Sequence, residues 1–218
     1  MTDLGRRAEL AKLAHDLGAD DQDVAFLADC SPAEIADLRS MVSQAVTSRQ
    51  AGRAKLLAAL SRKVPATLTA KIATRALGPI VAARVASRLE PDEAARLAVQ
   101  LEPEFLARLA AHLDPARVRE IVAALPADLI VEVAGLLLDR GDHVTLGRFL
   151  AAVPTPTALR VVADARAEDL VRVALLTEDR TALERVADGL GEDRRAEMLR
   201  AAREVGVEDD DTLLGLLR

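Results

Sequence analysis

At 218 residues the chain is long enough for one large or two small domains. Half of its residues are hydrophobic, yet only three are Phe and none is Trp or Tyr, so it lacks the aromatic platforms on which bases and sugars stack. Charged residues make up 29% and no uncharged apolar run reaches the length of a membrane span, which excludes a membrane-embedded bundle. The net charge of −6 is unevenly spread: residues 1–48 carry −5, residues 49–88 carry +9 with no acid at all, and residues 89–218 carry −10. Cys30 is the only cysteine, and Met1-Thr2-Asp3-Leu4-Gly5-Arg6-Arg7 lacks the apolar core of a secretory signal. A reducing, cytoplasmic setting is expected.

In chain order, residues 4–17 read as a helix with Leu4, Ala8, Ala11, Leu13 and Leu17 on its apolar side. An acidic turn at Asp20, Asp21 and Asp23 precedes a short helix with Val24, Phe26 and Leu27. Ser31-Pro32-Ala33-Glu34 has the form of a capping box with proline at the first helical position, and Ile35, Leu38 and Val42 come after it on one face. Residues 1–48 are therefore expected to be a small bundle or a helical cap. The two-helix outline is similar to a helix-turn-helix, but Glu34 and Asp37 stand where a DNA reader needs Arg, Asn or Gln.

Residues 49–88 form the basic segment. Leu56, Leu57 and Leu60 mark a helix or joint, a helix is expected over 66–77, and another over 79–88 after Gly78-Pro79. Lys71 with Arg75, and Arg84 with Arg88, lie one helical turn apart, which would build a basic ridge together with Arg62 and Lys63. These six residues, Arg62, Lys63, Lys71, Arg75, Arg84 and Arg88, are the candidate contact set. The ridge reads as a solvated or internally neutralised face, as a surface for an acidic protein, or as a contact for anionic lipid. Nucleic acid is disfavoured by the acidic chain and the missing aromatics.

A short repeat comes next. Leu89, Leu101, Leu113, Leu125 and Leu137 recur every twelve residues. So do Ala94, Leu106, Val118 and Ile130, then Leu97, Leu109, Ile121 and Val133, then Ala98, Ala110, Val122 and Ala134. Each unit thus holds one apolar face of a two-turn helix. The joints read Leu-Glu-Pro at 89–91 and 101–103, Leu-Asp-Pro at 113–115 and Leu-Pro at 125–126. Proline fits a first helical position and ends the helix before it. Helices this short are marginal alone and must stack. The expected fold is all-α, a right-handed α-solenoid of short helices in armadillo-like array.

These runs, such as Leu89-Glu90-Pro91-Asp92-Glu93-Ala94-Ala95-Arg96-Leu97, resemble the short-helix repeat in the cytoplasmic N-terminal domain of MgtE-family magnesium transporters, over about residues 87–137. The resemblance implies a superhelix and, as one reading, a magnesium-responsive sensor; no metal ligand carries over residue by residue.

Beyond the regular units, apolar stripes at 144–150, 159–163, 170–176 and 183–190 and a helix over 193–205 extend the solenoid to residue 207. The tail, 208–218, is acidic and then leucine-rich, and is expected to dock on its own solenoid, with a second copy as the alternative. His15, His112 and His143 are scattered and read as structural or surface residues. No phosphate loop, nucleophile elbow or metal-ligand spacing is present, so no cofactor and no enzyme activity are expected. The sequence points to a cytoplasmic interaction module for a protein partner, with peripheral membrane contact as the alternative.

Overall fold

The computed structural model describes residues 2–17, 24–27, 30–48 and 78–207. Among these residues there are twelve α-helices, one 3-10 turn and no strand. The chain divides into two units, Met1–Ala51 and Gly52–Arg218.

In the first unit α1 (Thr2–Leu17) packs on α2 (Pro32–Ser48), with a 3-10 turn at Ala25–Leu27 between them in sequence. Leu13, Ala14, Val24 and Ile35 form its buried core, flanked by Leu10, Leu27, Cys30 and Leu38. The expected capping box is formed. Ser31 Oγ and the Ser31 N–H both donate to Glu34 Oε2 at 2.8 Å, and the Glu34 N–H donates back to Ser31 Oγ at 3.3 Å. These bonds hold the Glu34 carboxyl below its ordinary range, the backbone bond contributing most. Lys12 is buried and donates to Glu9 Oε1 at 2.9 Å, while Arg39 lies 3.5 Å from the other oxygen of Glu9. The charge is admitted to the interface only in this paired form.

The second unit contains α3 (Gly78–Ala86), α4 (Pro91–Ala98), α5 (Pro103–Ala110), α6 (Pro115–Ala124), α7 (Ala127–Asp139), α8 (His143–Phe149), α9 (Thr155–Asp164), α10 (Ala167–Leu176), α11 (Arg180–Asp188) and α12 (Glu192–Glu204). The proline joints act as their chemistry requires: Pro91, Pro103 and Pro115 open α4, α5 and α6. Their N-caps differ. Asp114 is short enough to accept from the Ala116 N–H at 3.1 Å, whereas Glu90 and Glu102 make no side-chain cap bond. At the end of α7, Gly141 adopts a left-handed φ of 68°, and the Gly141 and Asp142 N–H groups donate back to Leu138 and Leu137 at 2.9 Å. That glycine turn ends the regular repeat.

Most of these helices pack on the second one along, with a break between α6 and α8. α3 meets α5, α5 meets α7, α7 meets α9 and α9 meets α11; α4 meets α6, α8 meets α10 and α10 meets α12. α7 also meets its neighbour α8. The repeat column Ala94, Leu106, Val118 and Ile130 is buried throughout. Phe105 and Leu109 of α5 lock against Ala82 and Ala83 of α3. Val118, Val122 and Ile130 meet Ala152, which lies just past α8. The largest cluster joins α10 to α12 through Leu170, Val171, Ala174, Met198, Ala201 and Ala202.

Candidate functional site

Of the six candidate cations, Arg62, Lys63, Lys71 and Arg75 lie outside the described residues, and so do the helices expected over 49–63 and 66–77. Arg84 and Arg88 are placed on and just after α3. Arg88 turns back and donates through Nη1 to the Arg84 carbonyl at 3.0 Å, meeting an orphan acceptor at the helix end. Arg84 is half-buried, and its Nη1 is buried without a hydrogen-bond partner. Neither arginine forms an ion pair among the described residues.

A second polar group was not legible in the sequence. Asp169, in the first turn of α10, is buried and gathers three donors. His143 Nε2, from the first residue of α8, lies 2.9 Å from its Oδ1; Arg166 Nε lies 2.9 Å from Oδ2; Arg172 Nη1 lies 3.4 Å from Oδ1. An ionised carboxylate only accepts, so Nε2 of His143 carries the proton. Burial pushes the Asp169 carboxyl up, but the bonds from Arg166 and His143 and their charge outweigh it and hold it below its ordinary range. Its partners are all donors around a fixed anion, which ties α8 to α10. Next to it, Asp142 caps α8: its Oδ1 accepts from the Thr145 N–H at 3.1 Å and its Oδ2 from the Thr145 hydroxyl at 2.9 Å. Among the described residues no group of His, Cys, Asp and Glu is arranged to hold a metal ion.

The third feature is a small apolar cleft with a cavity volume of about 50 Å³. Its walls come from four successive helices, with Val162 of α9, Leu170, Val173 and Ala174 of α10, Leu183, Val186 and Ala187 of α11, and Met198 of α12; Leu150 and Leu190 complete it. That volume is far below the range of about 300–1,000 Å³ typical of ligand clefts, and the cleft lacks the convergent polar groups that orient a small molecule. The sequence held the signal for it as the apolar stripes of 170–176 and 183–190, without showing that they converge.

The described chain is an all-α protein, and among the described residues no helix is long and apolar enough to cross a membrane. No protein-family model, curated protein or solved structure matches it. None of these comparisons links the chain to the transporter family.

Proposed function

We propose that this chain is a non-enzymatic cytoplasmic α-solenoid that binds an acidic protein surface through its basic segment and the adjoining repeats. Support for the superhelix comes from the twelve-residue apolar period combined with packing of most helices on the second one along, the pattern expected of a two-row stack. Such a stack offers a long surface assembled from repeated units. The observation that carries the partner reading is the state of Arg84 and Arg88. In a chain with 35 acidic residues, neither is matched by a carboxylate among the described residues, and one guanidinium nitrogen is buried without a partner. Buried donors are normally satisfied, so the Arg84 guanidinium has capacity for a further acceptor. That state is shared by Arg39, Arg194 and Arg195, and it is the acid-free surroundings of Arg84 that favour an outside one. The acid-free composition of residues 49–88 extends the same charge over the rest of the segment.

The test is charge reversal at Lys71, Arg75, Arg84 and Arg88 to Glu, with circular dichroism to check that helicity is retained. Quantitative affinity capture at low and physiological salt should show acidic proteins retained by the natural chain and lost by the folded variant. Flotation with anionic and neutral vesicles runs beside it. Salt-sensitive flotation with anionic vesicles alone, abolished in the variant, would replace the protein partner with a membrane surface. Equal capture by both proteins would overturn the assignment of the site.

A further inference from the structure

Helix α3 has two unlike faces. Ala82 and Ala83 are buried and pack with Phe105 and Leu109 of α5. Ile80, Arg84 and Arg88 recur at four-residue steps and so lie together along the other side. Ile80 is 51% exposed, the more open of the two large hydrophobic side chains exposed among the described residues. A single exposed apolar side chain is ordinary. What sets Ile80 apart is its place beside two guanidinium groups that form no ion pair among the described residues. Arg84 Nη1 is buried without a hydrogen-bond partner, and Arg88 spends one N–H on the Arg84 carbonyl at 3.0 Å. Ser87, on the same side, turns its hydroxyl inward to the Ala83 carbonyl at 2.8 Å and needs nothing from a partner. No acid occurs in α3 itself; the next one along the chain is Glu90.

We propose that this outward face of α3 recognises a short segment of a partner protein in which a large apolar side chain stands among carboxylates. The proposal rests on the reading of residues 49–88 as a surface for an acidic protein, and it names the chemistry that such a partner must present. The carboxylates meet Arg84 and Arg88, and the apolar group covers Ile80. Each contact supports the other. Covering Ile80 keeps water from the guanidinium–carboxylate pairs, which strengthens them. A purely acidic surface would leave those pairs solvated and weak. A purely apolar one would bury the arginines with no counter-charge. A bilayer fits this face less well: it offers one large apolar side chain, and the apolar side of α3 is already spent on α5. Stable anchoring to lipid takes more than one such signal. Residues 208–218, the acidic and leucine-rich tail, lie outside the described residues, and no contact with them is invoked.

Selection from a random displayed peptide library, with the full chain as bait, tests it. The enriched peptides should carry Asp or Glu on either side of Leu, Ile, Met or Phe. Synthetic copies, followed by fluorescence anisotropy, should bind the Ile80→Ser chain about fivefold more weakly than the natural one, and Ile80→Leu should restore the affinity. A chain with Arg84→Glu and Arg88→Glu should bind about tenfold more weakly, with a flatter dependence on salt. Thermal melting confirms that every variant folds. Acid-rich peptides that need no apolar residue and bind Ile80→Ser as tightly as the natural chain would overturn this inference and leave the acidic-partner reading standing. Peptides without acidic bias, or bound equally by the charge-reversed chain, would overturn both. Self-association in sedimentation, or flotation with anionic vesicles, that is lost in Ile80→Ser would give the face to a second copy or to a membrane instead.

Discussion

The helices α3–α7 and α8–α12 share one packing plan but are held in different ways. In the first set the apolar side chains recur at a fixed spacing, and helices meet through contacts such as Phe105 and Leu109 on Ala82 and Ala83. The second set has irregular spacing and adds polar reach between helices. Arg194 of α12 donates to the Val162 carbonyl at 2.7 Å and also to that of Ala165, so it meets the end of α9. Arg195 donates to the Ala187 and Asp188 carbonyls at 2.9 and 3.3 Å, at the end of α11. Asp169 joins α10 to α8, and Arg148 reaches the Leu113 carbonyl at 3.3 Å from the one set to the other. Where every junction is alike, apolar contact suffices to set the geometry. Where spacing varies, a long guanidinium bound to a helix end fixes the crossing, and it also favours the negative end of the helix dipole.

The largest expected effect strikes the apolar mode. Phe105→Ala removes a ring that is 1% exposed between α5 and α3, and should cost about 3–5 kcal/mol in urea unfolding. A loss under about 1 kcal/mol would show that α3 and α5 are not held by this contact. Close approach distinguishes the second set. A Cβ on Gly147 would sit 3.0 Å from the Leu176 carbonyl carbon and 3.1 Å from two carbonyl oxygens, all backbone of α10. Gly147→Ala should therefore cost about 1–3 kcal/mol despite its better helix propensity. In α7 nothing lies within 4 Å of the corresponding position on Gly135, and Gly135→Ala should stabilise by roughly 0.5–1 kcal/mol. Equal melting shifts for the two alanine variants would remove the distinction.

Asp169→Asn tests the polar tie. With Arg166 and Arg172 largely solvated, the loss should be roughly 1.5 kcal/mol, the low end for hydrogen bonds to a charged group. Its pH dependence is set by the lowered carboxyl. The folded state holds the proton less tightly than the unfolded state, so this stability is present above the ordinary carboxylate range and is lost as pH falls through the folded value. Denaturation of the natural and Asn chains should therefore converge in acid; a constant difference down to pH values below that range would contradict the assignment. The smallest contrast lies at the joints. Asp114→Ala removes a cap bond and should cost about 1 kcal/mol, while Glu102→Ala removes none and should change melting little.

Helix type and the buried column were legible because they are local. The column from Ala94 to Ile130 is a direct result of the twelve-residue period, and Ser31 with Glu34 announces its own cap. His143 and Asp169 are 26 residues apart and meet only because α8 packs on α10. Arg194 is likewise remote in sequence from the carbonyls it binds, so no spacing rule exposes either tie. Glu90 and Glu102 show the limit of reading a joint by charge alone: both occupy the N-cap, and neither bonds there through its side chain.

Contact with the second helix along also governs how the array changes length. Excising α5 alone would leave α3 with α6, and α4 with α7, at the second place along, so that apolar faces shaped for α5 and α6 meet other partners. Excising α5 and α6 together would instead put α7 in the place of α5, keeping odd with odd at α3. Within α3–α7, a change of length by two units therefore disturbs the pairing of helices less than a change by one.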